Sequence, residues 1–148
     1  MSRANPWMKF YPEDWRGDVK LRRCSLAARG LWVDLLSIMH EAESYGHLVI
    51  DGQKASVSDL SKVLGVHHKT LIALLKELGK NGVYSVSIDG IIYSRRMARD
   101  HAKSLEDKEN GRRGGNPNLA KGVNPPVRAE VKAQKPEARS QKNTLSNE

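Results

Sequence analysis

Hydrophobic residues recur at helical spacing in a short segment near the middle of the chain. Ser56 or Ser58 can cap the start of this helix, because a serine hydroxyl accepts from the free N–H groups of the first turn. Gly65 predicts its end, since glycine tolerates the left-handed conformation that follows many helices. The apolar positions fall at i, i+3 and i+4 and are Leu60, Val63 and Leu64.

A second helix is predicted directly after Gly65 and Val66. Its buried side carries leucines at i, i+3, i+4 and i+7, which are Leu71, Leu74, Leu75 and Leu78. The opposite side is polar and basic apart from Ile72. Two helices joined in this way are typical of a helix-turn-helix, whose second helix enters the DNA major groove. The candidate DNA-binding residues on it are His67, His68, Lys69, Thr70, Lys76 and Lys80.

The hydrophobic period changes from about 3.6 to 2 after Gly82, which predicts a β-hairpin. Asp89-Gly90 predicts a two-residue turn. With that turn, the strands would pair Ile88 with Ile91, Val86 with Tyr93 and Tyr84 with Arg95. We expect the apolar face of this hairpin to cover the helices, as the wing of a winged helix-turn-helix, and its turn to project toward a bound DNA backbone.

The longest core helix is predicted from Leu26 to about Ser44, with Ser25 as its N-cap. Its apolar positions are Ala28, Leu31, Trp32, Leu35, Ile38 and Met39. Gly46 ends this helix, and residues 47–50 are predicted to form a strand at the free edge of the hairpin. The order of elements is that of a winged helix. We therefore predict an α+β, mainly α fold with the winged-helix domain at residues 6–94.

An N-terminal aromatic arm precedes the first helix. Trp7, Phe10, Tyr11 and Trp15 lie within nine residues, and we expect them to pack on the domain, because aromatic burial holds a chain end in place. The alternative is that exposed rings stack on nucleic-acid bases. The acidic residues at positions 13, 14 and 18 favour burial of the rings over base stacking, because carboxylates do not suit a groove for phosphates.

Two basic clusters outside the second helix are candidate phosphate contacts. One contains Lys20, Arg22 and Arg23, for which a solvated loop is the alternative. The other contains Arg95, Arg96 and Arg99 and opens a post-wing helix predicted at residues 95–110. The apolar stripe of that helix is thin, so it is expected to pack along the domain or to pair with a second copy as a homodimer.

Most of the positive charge lies in the C-terminal segment. Residues 111–148 contain 8 Lys and Arg against 3 Asp and Glu, which leaves +3 of the net +8 on residues 1–110. The same segment has no aromatic residue and four of the six prolines. We expect a flexible, disordered basic tail that attracts polyanions, above all nucleic acid, although an acidic protein surface would also attract it.

Patterns typical of catalysis or metal binding are missing from the sequence. His67 and His68 are adjacent, so they point about 100° apart on a helix and do not face one metal ion. We predict no enzyme activity and no cofactor. A single cysteine, Cys24, fits a reducing cytoplasm; neighbouring cations would lower its thiol pKa, whereas packing is the more common role. No segment reaches the ~18 apolar residues of a membrane span.

The aromatic arm and several later motifs resemble one protein family. The matching residues are Trp7-Met8-Lys9-Phe10-Tyr11-Pro12, Asp14-Trp15, Leu26, Arg29-Gly30, Trp32 and Gly46-His47-Leu48. They resemble the N-terminal winged-helix domain of prophage-encoded replisome organiser and replication initiation proteins. Asn116-Pro117-Asn118-Leu119 and Val123-Asn124-Pro125 are similar to linkers that follow such domains. The resemblance covers residues 6 to about 126. It implies binding of origin or replication-fork DNA and delivery of a helicase or helicase loader in a bacterial cytoplasm.

Two classes of function remain open from the sequence. The first is a double-stranded DNA-binding module for phage replication, with a small transcriptional regulator as its close variant. The second is a protein-interaction adaptor on a winged-helix scaffold, because a fold does not determine a function.

Overall fold

The computed structural model describes residues 5–114. Helices make up 60% of these residues beside two small antiparallel sheets, which confirms the α+β, mainly α class. The elements are α1 (Pro12–Gly17), α2 (Val19–Arg22), α3 (Leu26–Glu41), β1 (Val49–Ile50), β2 (Gln53–Lys54), α4 (Val57–Leu64), α5 (His68–Lys80), β3 (Ser85–Val86), β4 (Ile92–Tyr93) and α6 (Arg95–Arg113). Among the described helices, none is long and apolar enough to cross a membrane.

The core forms where α3 packs against α5. Ser25 caps α3 as predicted, its Oγ accepting a hydrogen bond of 3.1 Å from the Ala28 N–H. The buried residues of α3 are Ala28, Leu31, Trp32, Leu35 and Met39, which matches the predicted face except that Ile38 is half-buried. The helix ends at Glu41 and not near Ser44, because Ala42 is already extended. The Gly46 N–H then donates to the Met39 carbonyl oxygen at 3.1 Å.

Helices α4 and α5 are joined by a turn of three residues. The Ser56 Oγ accepts from the Asp59 N–H at 3.0 Å, and the Asp59 carboxylate accepts from the Ser56 N–H at 3.1 Å, so both orphan donors of the first turn are satisfied. At the other end of α4, Gly65 is left-handed with φ of 65°, as predicted. Helix α5 then buries Leu71, Leu75 and Leu78.

The third strand predicted at residues 47–50 is present only in part: His47 makes an isolated bridge to Tyr93 of β4, whereas residues 49–50 pair with β2 and not with the hairpin. The Leu48 N–H donates to the Ile92 carbonyl oxygen, and the Ser94 N–H donates to that of Gly46, both at 2.8 Å. Asp51-Gly52 forms a turn, after which the chain returns as β2 and pairs with β1. The sequence reasoning missed this return strand.

The predicted register of the β3–β4 hairpin is wrong by one residue. Val86 pairs with Ile92, and the Ser87 N–H donates to the Ile91 carbonyl oxygen at 2.8 Å. The turn therefore has three residues, with Gly90 in the left-handed region at φ 77°. A slip of one residue moves side chains to the other face of a strand. Val86 and Ile88 are accordingly exposed and do not cover the helices.

The expected burial of the aromatic arm is also wrong for three of its four rings. Residues 5–11 form neither helix nor strand, and α1 starts at Pro12. Trp15 packs against the core, whereas Trp7, Phe10 and Tyr11 remain 79%, 50% and 44% exposed. The short α1 and α2 lie in a region where the sequence predicted no helix.

Helix α6 continues further than the predicted post-wing helix at residues 95–110. It passes through Gly111 and ends at Arg113, so the glycine does not break it. Residues up to Lys108 belong to one compact unit, and residues from Glu109 belong to a second, in which Arg113 Nε lies 3.1 Å from Glu109 Oε1. The basic tail predicted from residue 111 lies outside the described residues beyond Gly114.

Candidate nucleic-acid interface

The side of α5 that faces away from the core is exposed and basic. Its residues fall at helical spacing and are Lys69, Ile72, Ala73, Lys76 and Lys80. Within residues 5–114, none of the ion pairs involves these three lysines. The acidic residue of α5, Glu77, turns the other way and accepts a hydrogen bond of 2.9 Å from the Ser25 hydroxyl at the start of α3. The exposed face therefore keeps its positive charge.

The N-terminal end of α5 is open to solvent. His67 caps the helix, its Nδ1 accepting a hydrogen bond of 3.3 Å from the Lys69 N–H. His67, His68, Lys69 and Thr70 are all exposed. The partial positive charge of a helix N-terminus favours anions such as phosphate, and Lys69 adds a full charge there. The four residues predicted to face the bases are thus sterically free to do so.

Lys20 and Arg95, one residue from each basic cluster, both lie at the loop after α5. Arg95 donates a hydrogen bond of 2.8 Å to the Gly82 carbonyl oxygen. The Lys20 side chain lies beside the same glycine, with Nζ 3.9 Å from the position that a Cβ on Gly82 would occupy. Lys80 ends α5 just before this loop. Lys20 and Arg95 are 75 residues apart in sequence, and the tertiary structure brings them together. No local sequence pattern predicts this proximity.

The remaining predicted phosphate contacts are dispersed. Arg96 Nη2 lies 2.7 Å from the carboxylate of Asp14, and its guanidinium lies 4.1 Å above the ring of Tyr11. Its charge is therefore offset, and we leave it out of the interface. Arg22 donates to the Trp15 carbonyl oxygen at 3.3 Å. Arg23 and Arg99 are exposed.

Lys54 is a basic residue near the hairpin turn that the sequence reasoning missed. Its Nζ lies 2.9 Å from the position that a Cβ on Gly90 would occupy, so its ammonium stands beside the β3–β4 turn. Lys54 belongs to β2, the unpredicted return strand. The turn residues Asp51-Gly52 were the signal for that strand, because such a pair favours a tight hairpin.

Cys24 is a packed residue and not an activated thiol. It is buried in the core cluster, and burial together with nearby Glu77 raises its thiol pKa. Of the two roles considered for Cys24, packing is the one found, and desolvation of the thiolate outweighs the effect of neighbouring cations on the pKa. Burial likewise raises the pKa of Tyr84, whose hydroxyl donates to the Leu75 carbonyl oxygen at 3.1 Å and holds the hairpin against α5.

Comparison with other proteins identifies no relative of this chain. No protein-family model, curated protein or solved structure matches the chain. The functional assignment consequently depends on the geometry described above and on the motifs of the sequence.

Proposed function

We propose that this protein is a winged helix-turn-helix protein that binds double-stranded DNA through α5. The observation that carries the proposal is the exposed face of α5, whose lysines have no acidic partner among the described residues and which follows a three-residue turn after α4. In a helix-turn-helix, the helix in this position lies in the major groove with its N-terminal residues at the base edges.

The proposed docking assigns separate roles to the two ends of α5. The helix has 13 residues and is therefore about 20 Å long, and the major groove is wide enough to admit it. His68, Lys69 and Thr70 approach the bases, and Lys76 contacts phosphate. The cations at the far end, Lys20, Lys80 and Arg95, contact the backbone where the groove curves away. Lys54 brings a positive charge beside the β3–β4 turn.

The biological setting that we propose is initiation of phage or prophage DNA replication in a bacterial cytoplasm. Its support is the resemblance of the aromatic arm and the later motifs to replisome organiser proteins. Within that setting, a helicase or helicase loader is the partner, and α6 is the surface through which a homodimer would form. A transcriptional role uses the same DNA interface.

A pair of charge-matched variants tests the interface. Lys69→Ala with Lys76→Ala removes two cations from α5, whereas Lys103→Ala with Lys108→Ala removes two exposed cations from α6. We expect the α5 variant to weaken duplex binding by about tenfold or more and to reduce the slope of log affinity against log salt by about 2. The α6 variant should change duplex affinity by less than about threefold. The readout is fluorescence anisotropy of the full chain with DNA from the gene's own neighbourhood.

Equal losses in the two variants would show that only overall charge matters and would remove α5 from the interface. A wild-type chain without sequence-dependent affinity would instead favour the adaptor function.

A further inference from the structure

The aromatic arm carries exposed rings that the duplex interface on α5 does not use. Trp7, Phe10 and Tyr11 lie within five consecutive residues that form neither helix nor strand, and all three side chains are exposed. Large aromatic rings are normally buried in a soluble domain, so three neighbouring exposed rings indicate a binding surface.

The arm is anchored at both ends, which holds these rings in place. At its start, the Asn5 carbonyl oxygen lies 2.9 Å from His40 Nε2 on α3. At its end, Asp14 pairs with Arg96 at 2.7 Å. Two of the rings are also supported directly, since Phe10 lies 5.7 Å from the Trp15 ring and Tyr11 lies under the guanidinium of Arg96. The rings therefore need little ordering before they bind a ligand.

A groove with an excess of cations runs beside the rings. It lies between the arm and α6 and is lined by Lys9, Tyr11, Asp100, Lys103, Ser104, Asp107 and Lys108. The ion pairs among residues 5–114 do not include Lys9, Lys103 or Lys108, whereas Asp100 lies 3.8 Å from Arg96 and 3.9 Å from Arg99. The three lysines outnumber Asp100 and Asp107, so the lining of the groove carries a net positive charge of one.

A cavity of about 300 Å³ lies beside Phe10 and Tyr11. Phe10, Tyr11 and Trp15 supply aromatic walls, and Arg95 and Arg99 also line the cavity. The Nη1 and Nη2 of Arg95 already donate elsewhere, to the Ser85 hydroxyl and the Gly82 carbonyl oxygen. This volume is at the lower end of pockets that hold small ligands. Of the carboxylates that line it, Asp14 pairs with Arg96 and Asp18 caps α2 by accepting from the Lys20 N–H at 2.9 Å. An aromatic cavity with cations in its lining suits a nucleobase.

We propose that the arm and the groove beside α6 form a second site, which binds single-stranded DNA by stacking bases on Trp7, Phe10 and Tyr11 while Lys9, Lys103 and Lys108 follow the phosphates. Only an unpaired strand can present base faces to side chains, whereas a duplex keeps them stacked inside. The site does not depend on α5, because none of its residues lies on that helix. A protein that holds a duplex on one surface and a single strand on another can bind at a point where DNA has been opened.

The test compares two labelled oligonucleotides of equal charge, one of thymidines and one of abasic nucleotides, which keeps the phosphates and lacks the bases. We expect the wild-type full chain to bind the thymidine strand at least tenfold more tightly in anisotropy titrations. Trp7→Ala with Phe10→Ala should abolish this preference, because stacking contributes roughly a factor of ten per base. The salt dependence should stay the same, since no charge is removed.

Matched variants separate this site from the rest of the molecule. Val19→Ala with Leu26→Ala removes two exposed apolar side chains elsewhere and should leave the preference unchanged. Lys69→Ala with Lys76→Ala should weaken duplex binding and keep the preference for thymidine, so failure of one site does not imply failure of the other. The single variant Trp7→Ala removes a side chain that is 79% exposed, so its loss of preference would not reflect unfolding.

Two results would overturn the proposal. Equal affinity of the wild-type chain for the thymidine and abasic strands would show that only charge attracts single strands. A preference that survives in the Trp7 and Phe10 double variant would place the stacking surface elsewhere. In either case the exposed rings would be assigned to a protein partner.

Discussion

Arg95 connects the start of α6 to the loop after α5, because its Nη2 donates a hydrogen bond of 2.8 Å to the Gly82 carbonyl oxygen. Its Nη1 donates a second hydrogen bond, of 2.7 Å, to the Ser85 hydroxyl. A residue that the sequence marks as a phosphate contact thus also holds two parts of the fold together.

Replacement of Arg95 is therefore expected to affect stability as well as DNA binding. Arg95→Ala should lower the free energy of unfolding by about 1 kcal/mol, which is below the roughly 1.5–3 kcal/mol of hydrogen bonds to charged groups because the side chain is exposed. Lys20→Ala is the control, since Lys20 lies beside the same glycine; we expect a change within about 0.5 kcal/mol. Urea denaturation measures both. Unchanged stability in Arg95→Ala would mean that these hydrogen bonds are exchanged for water at no cost.

The register of the β3–β4 hairpin predicts that Ile88 contributes little to stability. Its side chain is fully exposed at the turn, so Ile88→Ala should cost less than about 0.5 kcal/mol. Leu71 is fully buried on α5, and Leu71→Ala should cost about 2–5 kcal/mol. The same denaturation experiment applies. A loss above about 1.5 kcal/mol for Ile88→Ala would restore the register expected from the alternating pattern.

Alanine substitutions at two glycines with open surroundings, Gly65 and Gly30, test the effect of backbone conformation on stability without a change in packing. A Cβ on Gly65 or on Gly30 would meet nothing within 4 Å, but Gly65 has φ of 65° and Gly30 lies inside α3. Gly65→Ala should destabilise by about 1 kcal/mol, because an L-residue resists the left-handed conformation. Gly30→Ala should stabilise by about 0.5–1 kcal/mol through a better helix propensity. Thermal melts would refute the assignment of the α4–α5 turn if both changes had the same sign.

The capping box of α4 predicts a pH dependence of stability. The hydrogen bonds from the Ser56 hydroxyl and backbone lower the pKa of Asp59 below its ordinary 3.8. A depressed pKa means that the unfolded chain binds more protons in this window, so the stabilisation is present above pH about 4 and disappears as pH falls through the folded-state pKa.

Asp59→Asn keeps an acceptor at this position without the charge and is the matched variant. We expect the wild-type protein to be more stable than Asp59→Asn at pH 7, with the difference shrinking as the pH falls through the folded-state pKa of Asp59. Chemical denaturation at a series of pH values measures the difference. A constant gap across the series would contradict a role for the carboxylate charge.

The main helices of this protein were determined by the sequence alone. The faces of α3 and α5, the Ser25 and Ser56 caps and the end of α4 at Gly65 follow from residues within a few positions of one another, because helix periodicity and capping act over one or two turns. The face of α4 follows only for Leu60, since Val63 is exposed. The exposure of the α5 lysines follows in the same way, as the side opposite the leucines.

Only the tertiary structure decided the hairpin register, the exposure of the aromatic arm and the partners of the basic residues. The hairpin could close with two or three turn residues, and pairing of residues 46–48 with β4 belongs to the arrangement with three. Arg96 meets Asp14 across 82 positions of sequence, and Lys20 and Arg95 meet at Gly82. Contacts between such distant residues depend on how complete elements pack, which residue spacing along the chain does not encode.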